Sequence, residues 1–204
     1  MSGRQGPSRP EKGEAPSGPR ANIEIKARIR DLKATARKAI EIGALFVGQD
    51  RQADTYFRVP SGRLKLRQSP RKGAELIIYF RDDTAGPRRS DYELLPVADP
   101  GRIRDLLGAM FGVQSEVRKI RRLYFVGTTR IHIDTVEGLG DFLEFEAVHP
   151  AGDADAEEAA RAGVNHLMAA FGITPEDLVP VSYGELLSSA VRPEPGGRSA
   201  RARS

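Results

Sequence analysis

Residues 21–30 read ANIEIKARIR, and this stretch decides the fold. Ile23, Ile25 and Ile29 alternate with Asn22, Glu24, Lys26, Arg28 and Arg30. Side chains along a strand point to opposite faces in turn, so one face here is apolar and the other carries an acid followed by three bases. A single such strand fits a sheet with one face in water. The recurrence of the pattern decides otherwise.

It recurs in most of the strand-like segments, which lie at about 21–30, 54–59, 63–68, 75–81, 90–97, 116–126, 128–136 and 142–149. Arg63, Lys65 and Arg67 oppose Leu64 and Leu66. Tyr79 and Arg81 alternate with Ile78 and Phe80, and Asp91 and Glu93 with Tyr92 and Leu94. Lys119 and Arg121 share a face. Arg130, His132 and Asp134 oppose Ile131 and Ile133, and Glu144 and Glu146 alternate with Leu143 and Phe145. Ordinary wet sheet faces mix in threonine, serine and glutamine. Ionisable groups at nearly every outward position predict a curled sheet whose charged faces converge on a cavity.

Turn signals such as Pro60-Ser61-Gly62 and Gly138-Leu139-Gly140 separate the strands. Helices are expected after Asp31 (to Gly43), after Asp99-Pro100 (to Gly112) and over 154–171, with short ones from Thr174 and Ser182. Antiparallel strands with helices at their flanks give an α+β fold. Residues 1–20 and 192–204 hold almost no apolar side chains and are expected to be disordered tails. Between them, about 170 residues suit one core.

The chain has 204 residues, no cysteine and a formal charge of +4. Disulfides, thiolate metal sites and a cysteine nucleophile are excluded. Neither a signal peptide nor a bilayer-length apolar run is present, so a cytoplasmic protein is expected. The modest basic balance does not argue for nucleic acid. The oligomeric state stays open, a homodimer included.

Charges enclosed together are costly unless neutralised. On the converging faces nine bases, Lys26, Arg28, Arg63, Lys65, Arg67, Arg81, Lys119, Arg121 and Arg130, face six acids, Glu24, Asp91, Glu93, Asp134, Glu144 and Glu146. The excess of bases calls for a polyanion, and arginine forks match phosphate oxygens. The acids call for a divalent cation, Mg2+ or Mn2+, which takes carboxylate and phosphate oxygens together. Arg71, Arg88 and Arg89 are expected in solvent. His132 is expected to be a neutral, hydrogen-bonded histidine within the barrel.

At these residues the sequence resembles the CYTH family of triphosphate-tunnel proteins, which includes class IV adenylate cyclases, thiamine triphosphatases and tripolyphosphatases. The family's Glu-x-Glu-x-Lys start is matched by Asn22-Ile23-Glu24-Ile25-Lys26, with asparagine in the first glutamate's place. Asp54-Thr55-Tyr56-Phe57, Gly62–Arg67, Lys119-x-Arg121, Arg130 with Asp134, Gly138–Glu146 and Ser182-Tyr183-x-x-Leu186-Leu187 match in order. The resemblance implies an eight-stranded antiparallel barrel open as a tunnel. It implies metal ligands at Glu24, Asp134, Glu144 and Glu146. It implies a phosphate grip from Lys26, Arg63, Arg67, Lys119, Arg121 and Arg130, joined by Arg28, Lys65 and Arg81. The catalytic set is then Glu24, Lys26, Glu144 and Glu146. The implied substrate is a triphosphate-bearing small molecule, ATP first. Three readings stay open: a class IV adenylate cyclase-like enzyme, a triphosphatase, and a non-catalytic polyphosphate or nucleotide binder in which Asn22 marks a lost metal ligand.

Overall fold

The computed structural model describes residues 20–190. Apart from Arg20, the expected tails at 1–20 and 192–204 lie outside the described residues. The chain forms strands β1 (Arg20–Arg28), β2 (Leu45–Phe57), β3 (Arg63–Ser69), β4 (Gly73–Arg81), β5 (Arg88–Val97), β6 (Val113–Val126), β7 (Thr129–Val136) and β8 (Gly140–Pro150). Helices α1 (Leu32–Glu41), α2 (Pro100–Phe111), α3 (Ala154–Phe171) and α4 (Tyr183–Ala190) flank them. All eight strands pair antiparallel into a closed barrel in the order β1-β5-β4-β3-β2-β6-β7-β8. The expected α+β barrel is the observed architecture.

Where α1 and α3 pack, the barrel is apolar outside. Ile23 and Ile25 of β1, Ile131 and Ile133 of β7, and Leu143 and Phe145 of β8 point outward. Helices α1 and α3 cover them with Ala39, Val164 and Leu167, and the Phe145 and Phe171 rings lie 5.3 Å apart. Fully burying side chains of this size contributes about 1.5–3 kcal/mol each. With the greasy faces satisfied against helices, the opposite faces are left to line the lumen.

Helix α4 closes one end. Its first turn is a reciprocal cap: the Glu185 N–H donates to Ser182 Oγ (3.2 Å), and the Ser182 N–H to Glu185 Oε2 (2.7 Å). Tyr183 packs edge-on against Phe142 at 4.9 Å. A Cβ at Gly184 would stand 2.8 Å from the Tyr56 ring and from Ser115 Oγ, so glycine permits this close approach.

Four local expectations change. Strand β2 begins at Leu45, not near 54, because the bulge between Phe46 and Gly48 breaks the alternation that marks a strand. The expected helix from Thr174 is a single 3-10 turn, Pro175–Asp177. No residue of α2 is buried, and Leu106 and Met110 on its apolar face are exposed. Asp91 and Glu93 face outward, because β5 starts at Arg88 and sends Ser90, Tyr92 and Leu94 into the lumen. On the outside Arg89 pairs with Asp91 (2.7 Å) and with Glu157 of α3 (2.6 Å).

Candidate triphosphate and metal site

Barrel closure sets the charged faces around one cavity of about 650 Å³. Lys26, Lys65, Arg67, Arg81, Lys119, Arg121 and Arg130 line it, with Glu24, Glu144, Glu146 and His132. Two bases named from the sequence lie apart. Arg28 is exposed, stacks over Phe142 and donates to the Leu139 carbonyl (3.1 Å). Arg63 donates to Asp83 (2.5 Å) and Glu185 (3.1 Å) at the α4 end, in an adjoining groove that Arg81 also reaches.

Inside, acids and bases alternate. Asp54 is fully buried and takes two 2.8 Å hydrogen bonds from Arg67, with Lys65 at 3.3 Å and Lys119 at 4.0 Å. Asp134 takes two from Arg121 (2.7 and 2.6 Å), with Lys119 at 3.2 Å and the Tyr183 hydroxyl at 3.3 Å. Arg121 also reaches Glu144, which lies 3.7 Å from Lys26. Glu24 is bound by Arg81 and lies 3.5 Å from Arg88. Contrary to the solvated role expected of Arg88, its side chain is buried in the barrel wall. The reason is its register: it pairs with Glu24 across β1 and β5.

Burial pushes each charged group toward neutrality, and its neighbours decide the outcome. The Lys26 ammonium is lowered by burial to about 8 against the pull of Glu144, with Arg81 opposing. Burial lowers Lys65 to about 7; Asp54 raises it, while Arg67, Lys119 and Arg121 lower it further. Burial would raise Glu144, but Arg121, His132 and Lys26 hold it well below the usual carboxylate range. His132 is lowered by burial and then by Arg121, which leaves a neutral imidazole at neutral pH.

His132, Glu144 and Glu146 bring one donor atom each within 4.8 Å of one another. His132 Nδ1 lies 3.6 Å from Glu144 and 3.5 Å from Glu146, and has no hydrogen-bond partner in the protein. Two carboxylates with an orphaned neutral imidazole fit a divalent cation, and the nitrogen suits Mn2+ better than Mg2+. Glu24 and Asp134, the other two metal ligands implied by the resemblance, stand in the ion pairs just described and not in this cluster.

Asp54 is a site residue beyond those expected from the sequence, although the alternation from Asp54 to Tyr56 carries the signal. His132 lies in the barrel as expected, and its place in Arg130-x-His132-x-Asp134 puts it on the charged face beside Glu144 and Glu146.

A family model described as the CYTH domain matches residues 20–180. The chain belongs to the CYTH domain family. This CYTH protein is 26% identical over 174 residues to the Methanocaldococcus jannaschii protein MJ0240, named as a candidate adenylate cyclase; the match covers 80% of this chain and 97% of that one. It is 25% identical over 134 residues to adenylate cyclase CyaB of Aeromonas hydrophila, covering 61% and 68%. Among solved structures, the PH1012 protein of Pyrococcus horikoshii OT3 superposes with a TM-score of 0.69 at 27% identity, covering 81% and 98%. A Hippeastrum protein whose structure is described as that of a candidate adenylyl cyclase with a dominant triphosphatase activity shares the fold, with a TM-score of 0.56 at 15% identity, covering 85% and 98%. Among the described residues no helix is long and apolar enough to cross a membrane.

Proposed function

We propose that this CYTH protein is a divalent-metal-dependent enzyme acting on a nucleoside triphosphate, in the manner of class IV adenylate cyclases: ATP to cyclic AMP and pyrophosphate. One observation carries the triphosphate reading: inward Lys26, Lys65, Arg67, Lys119, Arg121 and Arg130 share a cavity with the His132–Glu144–Glu146 donor set. The cyclase reading is supported by the names of the relatives at 26% and 25% identity.

Lys65, Arg67, Lys119 and Arg121 grip and orient the phosphates; at about 4 Å and an effective dielectric of about 20, each unit-charge contact is worth roughly 4 kcal/mol before desolvation. A divalent cation held by Glu144, Glu146 and His132 would supply charge neutralisation at phosphate oxygens. In the cyclase reaction the ribose 3′-hydroxyl gives its proton to solvent as its oxygen bonds the α-phosphorus, and the bond from that phosphorus to the leaving pyrophosphate oxygen breaks. The fixed guanidinium groups act by positioning and charge stabilisation.

A second reading is hydrolysis of the terminal phosphate, which the same cavity and donor set would serve. The same grip would hold the terminal phosphate for attack by water, with Lys65 as a charged partner of its oxygens. Incubation with ATP and Mn2+ separates the two. Cyclic AMP with pyrophosphate is the expected result, and orthophosphate without cyclic nucleotide selects hydrolysis. No turnover of ATP, GTP, thiamine triphosphate or tripolyphosphate would sink the enzyme reading and leave a binder.

Lys65 also sets a pH dependence. It is faced by Asp54 and Tyr56 of β2, Arg67 of its own strand, Tyr79 of β4, and Lys119 and Arg121 of β6. A bound polyanion favours the charged amine and raises its pKa, so binding takes up a proton at pH above about 7. Affinity for tripolyphosphate is expected to fall by up to about tenfold per pH unit as pH rises from 7 toward 9. Titration calorimetry in buffers of different ionisation enthalpy reads the proton directly, and Lys65→Arg should remove the uptake near pH 7 while leaving that of Lys26, whose amine is held at about 8, at higher pH.

A further inference from the structure

Helix α2 does not seat on the barrel as α1 and α3 do. Its apolar side chains Ile103, Leu106, Leu107 and Met110 recur at the spacing of one helical face. Ile103 and Leu107 are half-buried, but Leu106 is 51% exposed and Met110 71%. A helix of 12 residues is marginal without tertiary packing, and half of this stripe is left uncovered. Beside it stands Asp105, which is exposed and, among the described residues, in no ion pair. Its neighbour Arg104 is taken by Glu116 of β6.

A groove of about 890 Å³ begins where this helix does, at Pro100. Its floor includes Ala53 of β2, Ala74 of β4 and Ile120 of β6, with Val97 at the end of β5. Ala53, Ala74 and Ile120 alternate with the lumen-lining Gln52, Glu75 and Lys119, so the groove lies on the outer side of the wall. Arg51 and Arg118 line it too, as exposed diagonal neighbours across β2 and β6. Among the described residues neither guanidinium makes a hydrogen bond or an ion pair, and Glu137, the acid of the lining, pairs with neither. Two like charges so placed repel, and an acid set between them is favourable.

One side of the molecule therefore offers an acid with two apolar side chains on a helix, and two bases over an apolar floor. The two patches adjoin: Leu106 follows Pro100 by about 9 Å along the helix axis. Adjoining patches that complement each other suit a two-fold contact, in which helix meets groove and groove meets helix. A foreign partner would answer only one of them.

We propose that this side is an interface with a second copy of this chain. Helix α2 of each protomer lays Leu106 and Met110 into the partner's groove and sets Asp105 between the partner's Arg51 and Arg118. The proposal stands independently of the triphosphate reading.

Sedimentation equilibrium of the full chain tests it, with a dimer as the expected result. Asp105→Arg brings like charges together at both contacts, and so does Arg51→Asp combined with Arg118→Asp. Each variant should raise the Kd at least about tenfold. Mixed in equal amounts, the two variants should return the Kd to within about threefold of wild type, because opposite charges then meet at both contacts. Recovery on mixing also certifies that both variants are folded. Met110→Glu, at a site outside the monomer's core, should weaken the dimer as the charge changes do. A wild-type chain that stays monomeric at the highest concentration reached overturns the interface. So does a dimer that Met110→Glu or either charge variant leaves intact, and so does a mixture of variants that stays monomeric although each melts as wild type does.

Discussion

Replacing Asp54 by asparagine is expected to destabilise the folded protein by about 3–5 kcal/mol, the usual penalty for removing one side of a buried ion pair. Asp54 is the acid on which Arg67, Lys65 and Lys119 all converge, and it and Lys119 are buried. Burial would raise its pKa, but Arg67, Lys65 and Lys119 together hold it well below the carboxylate range. Its stabilising contribution is therefore present above the unfolded pKa of about 3.9 and lost as pH falls through the folded value. The variant should recover most at high pH, where Lys65 sheds its proton. Saturating tripolyphosphate should also restore stability, by about 2.7 kcal/mol at 100 times its Kd, since it replaces the missing negative charge. Urea denaturation with and without tripolyphosphate measures both effects. A loss below 1 kcal/mol would show that the lumen charges are solvated.

The second large effect concerns Glu144. Glu144→Gln is expected to lower turnover at least about 100-fold while metal-free tripolyphosphate binds more tightly than to wild type. The two signs follow from one geometry. Glu144 engages Arg121 and Lys26 and contributes to the His132–Glu146 donor set. Removing its charge frees two bases for phosphate and weakens cation binding. Steady-state rates at saturating Mn2+, paired with calorimetry in chelator, read the two quantities separately. Unchanged turnover would remove Glu144 from the metal site. Weaker metal-free binding would show that it serves only to hold the wall in place.

Lys26, Arg67, Lys119, Arg121, Glu144 and Glu146 were readable because strand alternation is a local property with period two, and each of these strands carries it without interruption. Strand β2 was half hidden because the bulge at Gly48 shifts the alternation out of phase. Arg88 and Asp91 were assigned to the wrong sides because β5 is charged on both faces. Only the helix packed outside, through Glu157 and Arg161, shows which face is which. Arg28 and Arg63 follow the period but sit at strand ends beside α4, where the side chains find partners beyond the lumen.

By itself, the sequence determined which side chains share a face and that bases outnumber acids there. Those features require only neighbours along the chain. The tertiary structure alone decided who meets whom: Asp54 with Lys119, Asp134 with Tyr183, His132 with Glu144 and Glu146, and Asn22 in one lumen with Gln52. Such pairings depend on strand order and on the stagger with which the sheet closes. Both are set by how the outer apolar faces pack beneath α1 and α3, over separations that local alternation does not encode.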